Sequence, residues 1–120
     1  MKTIIVILYA HLVKRRNKKW IDSPIKWQTN TFKKLIKNGV KTEFGKNHDF
    51  ENIQSYEQYK EKVPVRDYEE LRPYIEKVVN GEKDILWPGK PLYFAKTSGT
   101  TSGAKYIPIT KESIKTHIRS

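Results

Sequence analysis

The sequence of 120 residues contains no cysteine. This absence excludes disulfide bonds, thiolate metal sites and cysteine nucleophiles together, and it is compatible with the cytoplasmic location that we expect. The three histidines, His11, His48 and His117, are scattered without the spacing of metal ligands. We therefore predict no metal site and expect all three at polar surface positions.

Acidic residues are scarce: the sequence has 13 Asp and Glu but 24 Lys and Arg, which gives a formal net charge of +11. Much of the excess lies in residues 14–19 (KRRNKK), followed by Lys33, Lys34 and Lys37. Such a cluster could bind the phosphate backbone of a nucleic acid. No nucleic-acid-binding motif accompanies it, so we favour a solvated face, or a surface that meets acidic parts of a longer protein, and expect no specific nucleic-acid partner.

Long hydrophobic runs are almost missing as well. Residues 3–10 form one such run, which Leu12 and Val13 prolong, but it is far below the ~20 residues that span a bilayer. It lacks a clean small-x-small cleavage site, and the positive cluster after it is stronger than the charge before it, so a secretion signal is disfavoured. We treat residues 1–19 as a separate helical segment. An amphipathic helix that packs on the domain and an interfacial anchor in contact with a membrane surface remain open.

Local signals predict where several helices begin and end. A helix begins at the sequence Asp22-Ser23-Pro24 and ends at Asn38-Gly39. Residues 40–52, which include Phe44 and Phe50, look like a loop. Residues 110–118 are typical of a capped helix that stops without a Gly or Pro terminator.

Two capping boxes predict two further helices. Ser55 with Gln58 indicates a helix over residues 56–62, and Asp67 with Glu70 indicates one over residues 68–79. Pro73 has no backbone N–H, so we expect it in the first turn or at a break between two short helices.

The most informative stretch is residues 97–105, TSGTTSGAK, which lies between the apolar, strand-like runs 92–95 and 106–109. Glycines permit close approach of the backbone to a ligand, hydroxyls add donors, and a lysine adds a positive charge, which together suit a polyphosphate. The spacing does not fit a Walker A loop, because Gly99 and Gly103 are too close together. A hydroxyl-rich hairpin without a ligand stays open. Pro108 should turn its nitrogen toward a sheet edge.

A family resemblance narrows this interpretation. The sequence FAKTSGTTSGAKYIPIT resembles the phosphate-binding loop of adenylate-forming enzymes, S/T-S-G-S/T-S/T-x-G-x-x-K. The element IPIT and the upstream segments TEFGK, VPVRDYE, PYIE and LWPG are similar to those of the acyl-acid amido synthetases of the auxin-responsive-promoter type, which are plant auxin- and jasmonate-conjugating enzymes and their bacterial relatives. The resemblance covers residues 20–120.

The resemblance implies a fold of the α+β or α/β class. Residues 20–120 would form an incomplete part of the large amino-terminal domain, with several helices, a β-hairpin that carries the phosphate-binding loop, and then a helix. It also implies that the whole enzyme uses ATP with Mg²⁺, whose ligands lie outside this chain, to adenylate a carboxylic acid and pass the acyl group to an amine such as an amino acid. The partners are those two substrates and the rest of the enzyme beyond residue 120.

The resemblance also assigns roles in the loop. Hydroxyl groups would donate to phosphate oxygens, two glycines would permit backbone approach, and a lysine would serve as countercharge; these residues are Ser98, Thr100, Thr101 and Ser102, then Gly99 and Gly103, then Lys105. Plant relatives place one more residue before the lysine, so Lys105 aligns through a shortened loop. Catalytic residues are not identified, and we expect the isolated chain to be inactive.

Three alternatives remain open. An acyl-coenzyme A ligase-like enzyme would share the loop but not the upstream segments, whereas a non-catalytic remnant or a basic binding module would lack adenylation activity altogether. The aromatic residues Trp87, Tyr93 and Phe94 could border an acyl pocket, but we favour core packing for them because of their large apolar surfaces.

Overall fold

A computed structural model describes residues 2–97 and 103–119, which fall into two units, 1–34 and 35–120. The fold is rich in helices and contains one small antiparallel sheet, which agrees with the expected α+β class. The helices are α1 (Lys2–Ile21), α2 (Pro24–Gly39), α3 (Glu43–Asn47), α4 (Tyr56–Lys62), α5 (Tyr68–Val79) and α6 (Lys111–Arg119), with a 3₁₀ turn at Phe50–Asn52; the strands are β1 (Tyr93–Thr97) and β2 (Lys105–Ile109).

Helix α1 covers most of the amino-terminal segment and continues to Ile21. Its apolar residues follow one another directly from Ile4 to Tyr9, so they point to every side of the helix. This distribution does not fit the amphipathic helix, which was one of the two alternatives left open for this segment. No helix in the described ranges is long and apolar enough to cross a membrane. The division at residues 19 and 20 stays a prediction.

Helix α2 has the predicted bounds, but the expected loop over residues 40–52 is largely helical. The reason is Thr42, whose Oγ1 accepts a hydrogen bond from the backbone N–H of Gly45 at 2.9 Å and thereby caps α3. The same hydroxyl donates to the carbonyl of Gly39 at 2.7 Å. A Cβ on Gly45 would lie 2.0 Å from that carbonyl oxygen, so only glycine fits there.

Both predicted capping boxes are present, and α4 and α5 have the predicted bounds. The expectation for Pro73 was wrong, because α5 continues unbroken through it and Pro73 lies in the second turn. A proline at this place deprives only the carbonyl four residues earlier, that of Glu69, of its helical donor. Glu69 is exposed, so water can supply the missing hydrogen bond.

The core of the second unit lies where α5 and the end of α2 meet the 3₁₀ turn and the segment after α5. Its buried apolar side chains are Ile36, Phe50, Ile53, Ile75, Val78 and Ile85. Backbone N–H groups of Glu43 and Phe44 donate to the carbonyls of Asp84 (2.7 Å) and Ile85 (3.0 Å). Lys77 of α5 and Glu43 of α3 form an ion pair at 2.6 Å. These bonds fasten α3, α5 and the following segment to one another.

The expectation that all histidines are surface residues was wrong for His48, which is 6% exposed. Its ring stacks on Phe44 with 4.1 Å between ring centroids, and its Nδ1 lies 2.7 Å from the Phe44 carbonyl oxygen. That hydrogen bond satisfies the ring nitrogen and makes burial acceptable. His11 is exposed as expected, and the surroundings of the His117 side chain lie outside what the structure describes.

Candidate functional site

The predicted hairpin is present. Strands β1 and β2 pair antiparallel, from Tyr93 opposite Ile109 to Thr97 opposite Lys105. The chain segment that joins them, residues 98–104, contains six of the seven predicted phosphate-binding residues. The seventh, Lys105, follows the segment directly. Five of these, Ser98, Gly99, Thr100, Thr101 and Ser102, lie outside the described residues, and Gly103 and Lys105 lie within them.

Gly103 and Lys105 form the return arm of this loop. Gly103 has a φ of +80°, in the left-handed region that side chains disfavour. Nothing lies within 4 Å of the position of a Cβ there, so the backbone conformation rather than crowding requires glycine. Lys105 is the first residue of β2 and pairs with the last residue of β1. Its side chain therefore starts at the base of the loop.

Tyr68, the first residue of α5, holds β2 from outside the sheet. The backbone N–H of Tyr106 donates to the Tyr68 hydroxyl at 2.7 Å, and that hydroxyl lies 3.4 Å from the Tyr106 carbonyl oxygen, to which it can donate. Both backbone groups of Tyr106 thus face away from β1. Because alternate residues of a strand point their backbone groups to the same side, the nitrogen of Pro108 also faces this outer edge, as expected.

The charges around Tyr68 are partly neutralised. Arg72 donates from Nε and Nη2 to the two carboxylate oxygens of Glu69 at 2.7 and 2.8 Å. This bidentate pair holds the pKa of the Glu69 carboxyl below its usual value and raises the pKa of Arg72. Lys105 Nζ lies 5.4 Å from the centroid of the Tyr68 ring. It forms no ion pair with any carboxylate in the described residues, although its charge contributes to the lowered pKa of Glu69.

A cleft of about 260 Å³ lies between α5 and the start of β2. It is lined by Tyr68, Arg72, Ile75, Glu76, Val79, Asn80, Ala104 and Tyr106. Sites for drug-sized ligands usually exceed about 300 Å³, so this cleft suits a small group rather than a whole nucleotide. The sequence analysis did not predict this side of the hairpin, because no local pattern around Tyr68 indicates its hydrogen bond with Tyr106, which lies 38 residues further along the chain.

The aromatic residues near the hairpin are less buried than expected. Tyr93 is 66% and Phe94 37% exposed, so core packing was the wrong expectation for these two. In the described residues the sheet has two strands, so β1 has a neighbouring strand on one side alone. Trp87 is half-buried and borders a cavity of about 20 Å³, which has room for little more than one water molecule. That cavity is too small for an acyl group.

Helix α6 follows β2 directly, which confirms the predicted helix. Thr110 Oγ1 accepts from the backbone N–H of Ser113 at 3.2 Å, and Ser113 Oγ accepts from the N–H of Thr110 at 3.0 Å. The backbone N–H of Glu112, in the first turn, lowers the pKa of its own carboxyl. Nowhere in residues 2–97 and 103–119 do three His, Asp or Glu side chains come close enough to hold a metal ion.

Comparisons with known proteins give a consistent result. The sequence model described as the GH3 family N-terminal domain matches residues 14–120. A probable indole-3-acetic acid-amido synthetase of Oryza sativa subsp. japonica is 43% identical over 47% of this chain and 12% of its own length. A jasmonoyl-L-amino acid synthetase of the same organism is 29% identical over 77% of this chain and 16% of its own length.

A third relative is the indole-3-acetic acid-amido synthetase GH3.15 of Arabidopsis thaliana, which is 40% identical over 50% of this chain and 10% of its own length. The chain therefore spans about a sixth or less of the length of these curated relatives.

Proposed function

This chain belongs to the GH3 family, and from that premise we propose that it supplies the phosphate-binding hairpin of an ATP-dependent acyl-acid amido synthetase. Of the relatives named above, one is an indole-3-acetic acid-amido synthetase, one a probable indole-3-acetic acid-amido synthetase and one a jasmonoyl-L-amino acid synthetase. We accordingly propose a carboxylic acid and an amine as substrates. The rest of the active site comes from a longer protein of this family, of the adenylate-forming type.

The proposed reaction has two steps. The carboxylate oxygen attacks the α-phosphorus of ATP, an acyl-adenylate forms, and pyrophosphate leaves. The amine nitrogen then attacks the acyl carbon, the bond to AMP breaks, and the nitrogen loses a proton to give the amide. Mg²⁺ bound with ATP neutralises part of the phosphate charge, and we assign it no ligand among the described residues. Because ATP is consumed, we propose a cytoplasmic location.

The observation that supports this proposal is the return arm of the loop. A glycine in the left-handed conformation lies two residues before a lysine that forms no ion pair with any carboxylate in the described residues. A backbone that turns in this way can present its N–H groups to phosphate oxygens, and the lysine adds a charge at the same place. Gly99, Thr100 and Thr101 are the first candidates for direct contact, with Ser98 and Ser102 beside them and Lys105 as countercharge.

A chimera tests the proposal. Residues 14–120 replace the matching segment of the Arabidopsis GH3.15 enzyme, and the rate of pyrophosphate exchange into ATP is measured with and without indole-3-acetic acid. We expect exchange that depends on the acid. The double substitution Thr100→Ala/Thr101→Ala should lower the rate on the order of 100-fold, since it removes donors aimed at developing charge.

The matched control is Thr29→Ala, because the Thr29 hydroxyl donates only within its own helix, to the Ile25 carbonyl at 2.9 Å. Its exchange rate should equal that of the unsubstituted chimera. An active chimera that tolerates the double substitution would refute the role of the loop. A folded but inactive chimera would count against the proposal, as would exchange activity of the isolated 120-residue chain, which we expect to be inactive.

A further inference from the structure

Helix α1 changes character along its axis. Its apolar side chains in the first half are between 51% and 67% exposed; they are Ile4, Ile5, Val6, Ile7, Leu8, Tyr9 and Leu12. Its second half carries the exposed cations Lys14, Arg15, Arg16 and Lys18. No acidic residue occurs before Asp22. The helix thus begins with the single cation Lys2, continues as an apolar stretch and leads without a break into a strongly basic end.

The distribution around the helix shows what kind of surface would match it. A helix that docks on a protein presents an apolar stripe on one face and polar residues on the other. Residues 4–9 instead place apolar side chains on every side. A helix that is apolar all round requires an apolar environment all round, which the interior of a membrane leaflet provides. A nucleic acid would match only the basic half.

The lengths agree with one leaflet. Residues 3–13 extend for about 16 Å at a rise of about 1.5 Å per residue, close to half of the ~30 Å hydrocarbon core. The cations from Lys14 to Lys18 follow within about 8 Å, which is the depth of the headgroup layer. The apolar half also precedes residue 14, where the match to the family begins, so it is a feature that the family model does not cover.

We propose that α1 attaches this protein to membranes that contain anionic lipids. The apolar half enters one leaflet without crossing the bilayer, and the basic half binds the headgroups. Charge complementarity selects anionic lipid, because the helix bears cations and no acid. The attachment is independent of the proposed ligase activity.

Vesicle sedimentation tests the attachment. The full chain is mixed with vesicles of phosphatidylcholine alone or with 30% phosphatidylserine, and the bound fraction gives a partition coefficient. We expect binding that is at least about 30-fold stronger to the anionic vesicles, since each cation near such a surface contributes about fivefold. Ile5→Asp/Leu8→Asp should lower binding by about 100-fold or more, because carboxylates do not enter the hydrocarbon.

A matched pair of charge variants separates local from general electrostatics. Arg15→Glu/Arg16→Glu and Lys33→Glu/Lys34→Glu lower the net charge of +11 by equal amounts, and all four side chains are exposed. Only the first pair should abolish the preference for anionic lipid. Circular dichroism confirms that every variant keeps its helices.

Equal losses from the two pairs, or no loss from Ile5→Asp/Leu8→Asp, would overturn the proposal. So would a DNA duplex that binds more tightly than the vesicles and retains its affinity for the Asp variant. That result would assign the basic half of α1 to nucleic acid instead.

Discussion

Removing one hydroxyl from Tyr68 should loosen the strand that carries Lys105. In Tyr68→Phe the ring stays, and the backbone N–H and carbonyl of Tyr106 lose a partner at 2.7 and 3.4 Å. Tyr106 is 38% exposed, so water can reach its backbone and replace part of what is lost.

The structure gives a rough magnitude for this loss. A net hydrogen bond between neutral groups stabilises the folded state by about 0.5–1.5 kcal/mol, and at 3.4 Å the second bond adds little. We therefore expect Tyr68→Phe to lower the free energy of unfolding by about 1 kcal/mol. For a chain of this size that corresponds to a fall in Tm of about 3–5 °C. Tyr68→Leu should cost about 0.5–1 kcal/mol more, because it also removes the ring near Lys105 Nζ.

Thermal unfolding followed by circular dichroism measures the stability, and hydrogen exchange measures local protection of the Tyr106 amide. The matched control is Tyr93→Phe, which removes the same hydroxyl on the neighbouring strand from a residue that is 66% exposed. We expect no change in Tm for this control. The reasoning is refuted if Tyr68→Phe shifts Tm no more than Tyr93→Phe does, or if the Tyr106 amide exchanges at the original rate.

Two further predictions concern buried and charged side chains of the same unit. Thr42→Ala should lower the free energy of unfolding, measured by urea denaturation, by about 2–3 kcal/mol. The substitution removes the cap of α3 and both hydrogen bonds of the Thr42 hydroxyl, and Thr42 is only 1% exposed. Thr42→Ser should restore most of it; equal losses would refute the role of the hydroxyl. The hydrogen bonds from Arg72 lower the pKa of the Glu69 carboxyl from its ordinary value of 4.5. The stabilisation of the folded state by this ion pair is therefore present above pH 4.5, and it is lost as the pH falls through the pKa that Glu69 has in the folded state. Glu69→Gln should therefore flatten the fall of Tm on acidification, and an unchanged profile would contradict this.

Local rules explain which parts of the fold could be predicted. A capping box joins residues three apart, so Ser55 with Gln58 and Asp67 with Glu70 fixed the starts of α4 and α5 whatever the rest of the chain does. Thr42 caps α3 in the same way, but the residue three positions later is Gly45 instead of the Glu or Gln of a capping box. Glycine is needed there because the backbone of Gly39 lies too close for a side chain, so the sequence signal for this helix was incomplete.

Contacts between distant residues explain most of what could not be predicted. The burial of His48 depends on a stack against Phe44 inside a core that other elements complete. The exposure of Tyr93 depends on how many strands stand beside β1, which no local pattern states. For the candidate site, the sequence predicted the hairpin, but not the contact of Tyr68 with the backbone of β2, and the phosphate-binding role of the loop stays a prediction.

Helix α5 links the candidate loop to the core. At its far end Ile75 and Val78 are buried in the core, and Lys77 pairs with Glu43 of α3. At its near end Tyr68 holds the backbone of β2 one residue after Lys105. The unbroken course through Pro73 matters here, because a break would separate the buried end from the end that holds the strand. The base of the loop is therefore positioned by core packing some 15 Å away along the helix, at about 1.5 Å per residue.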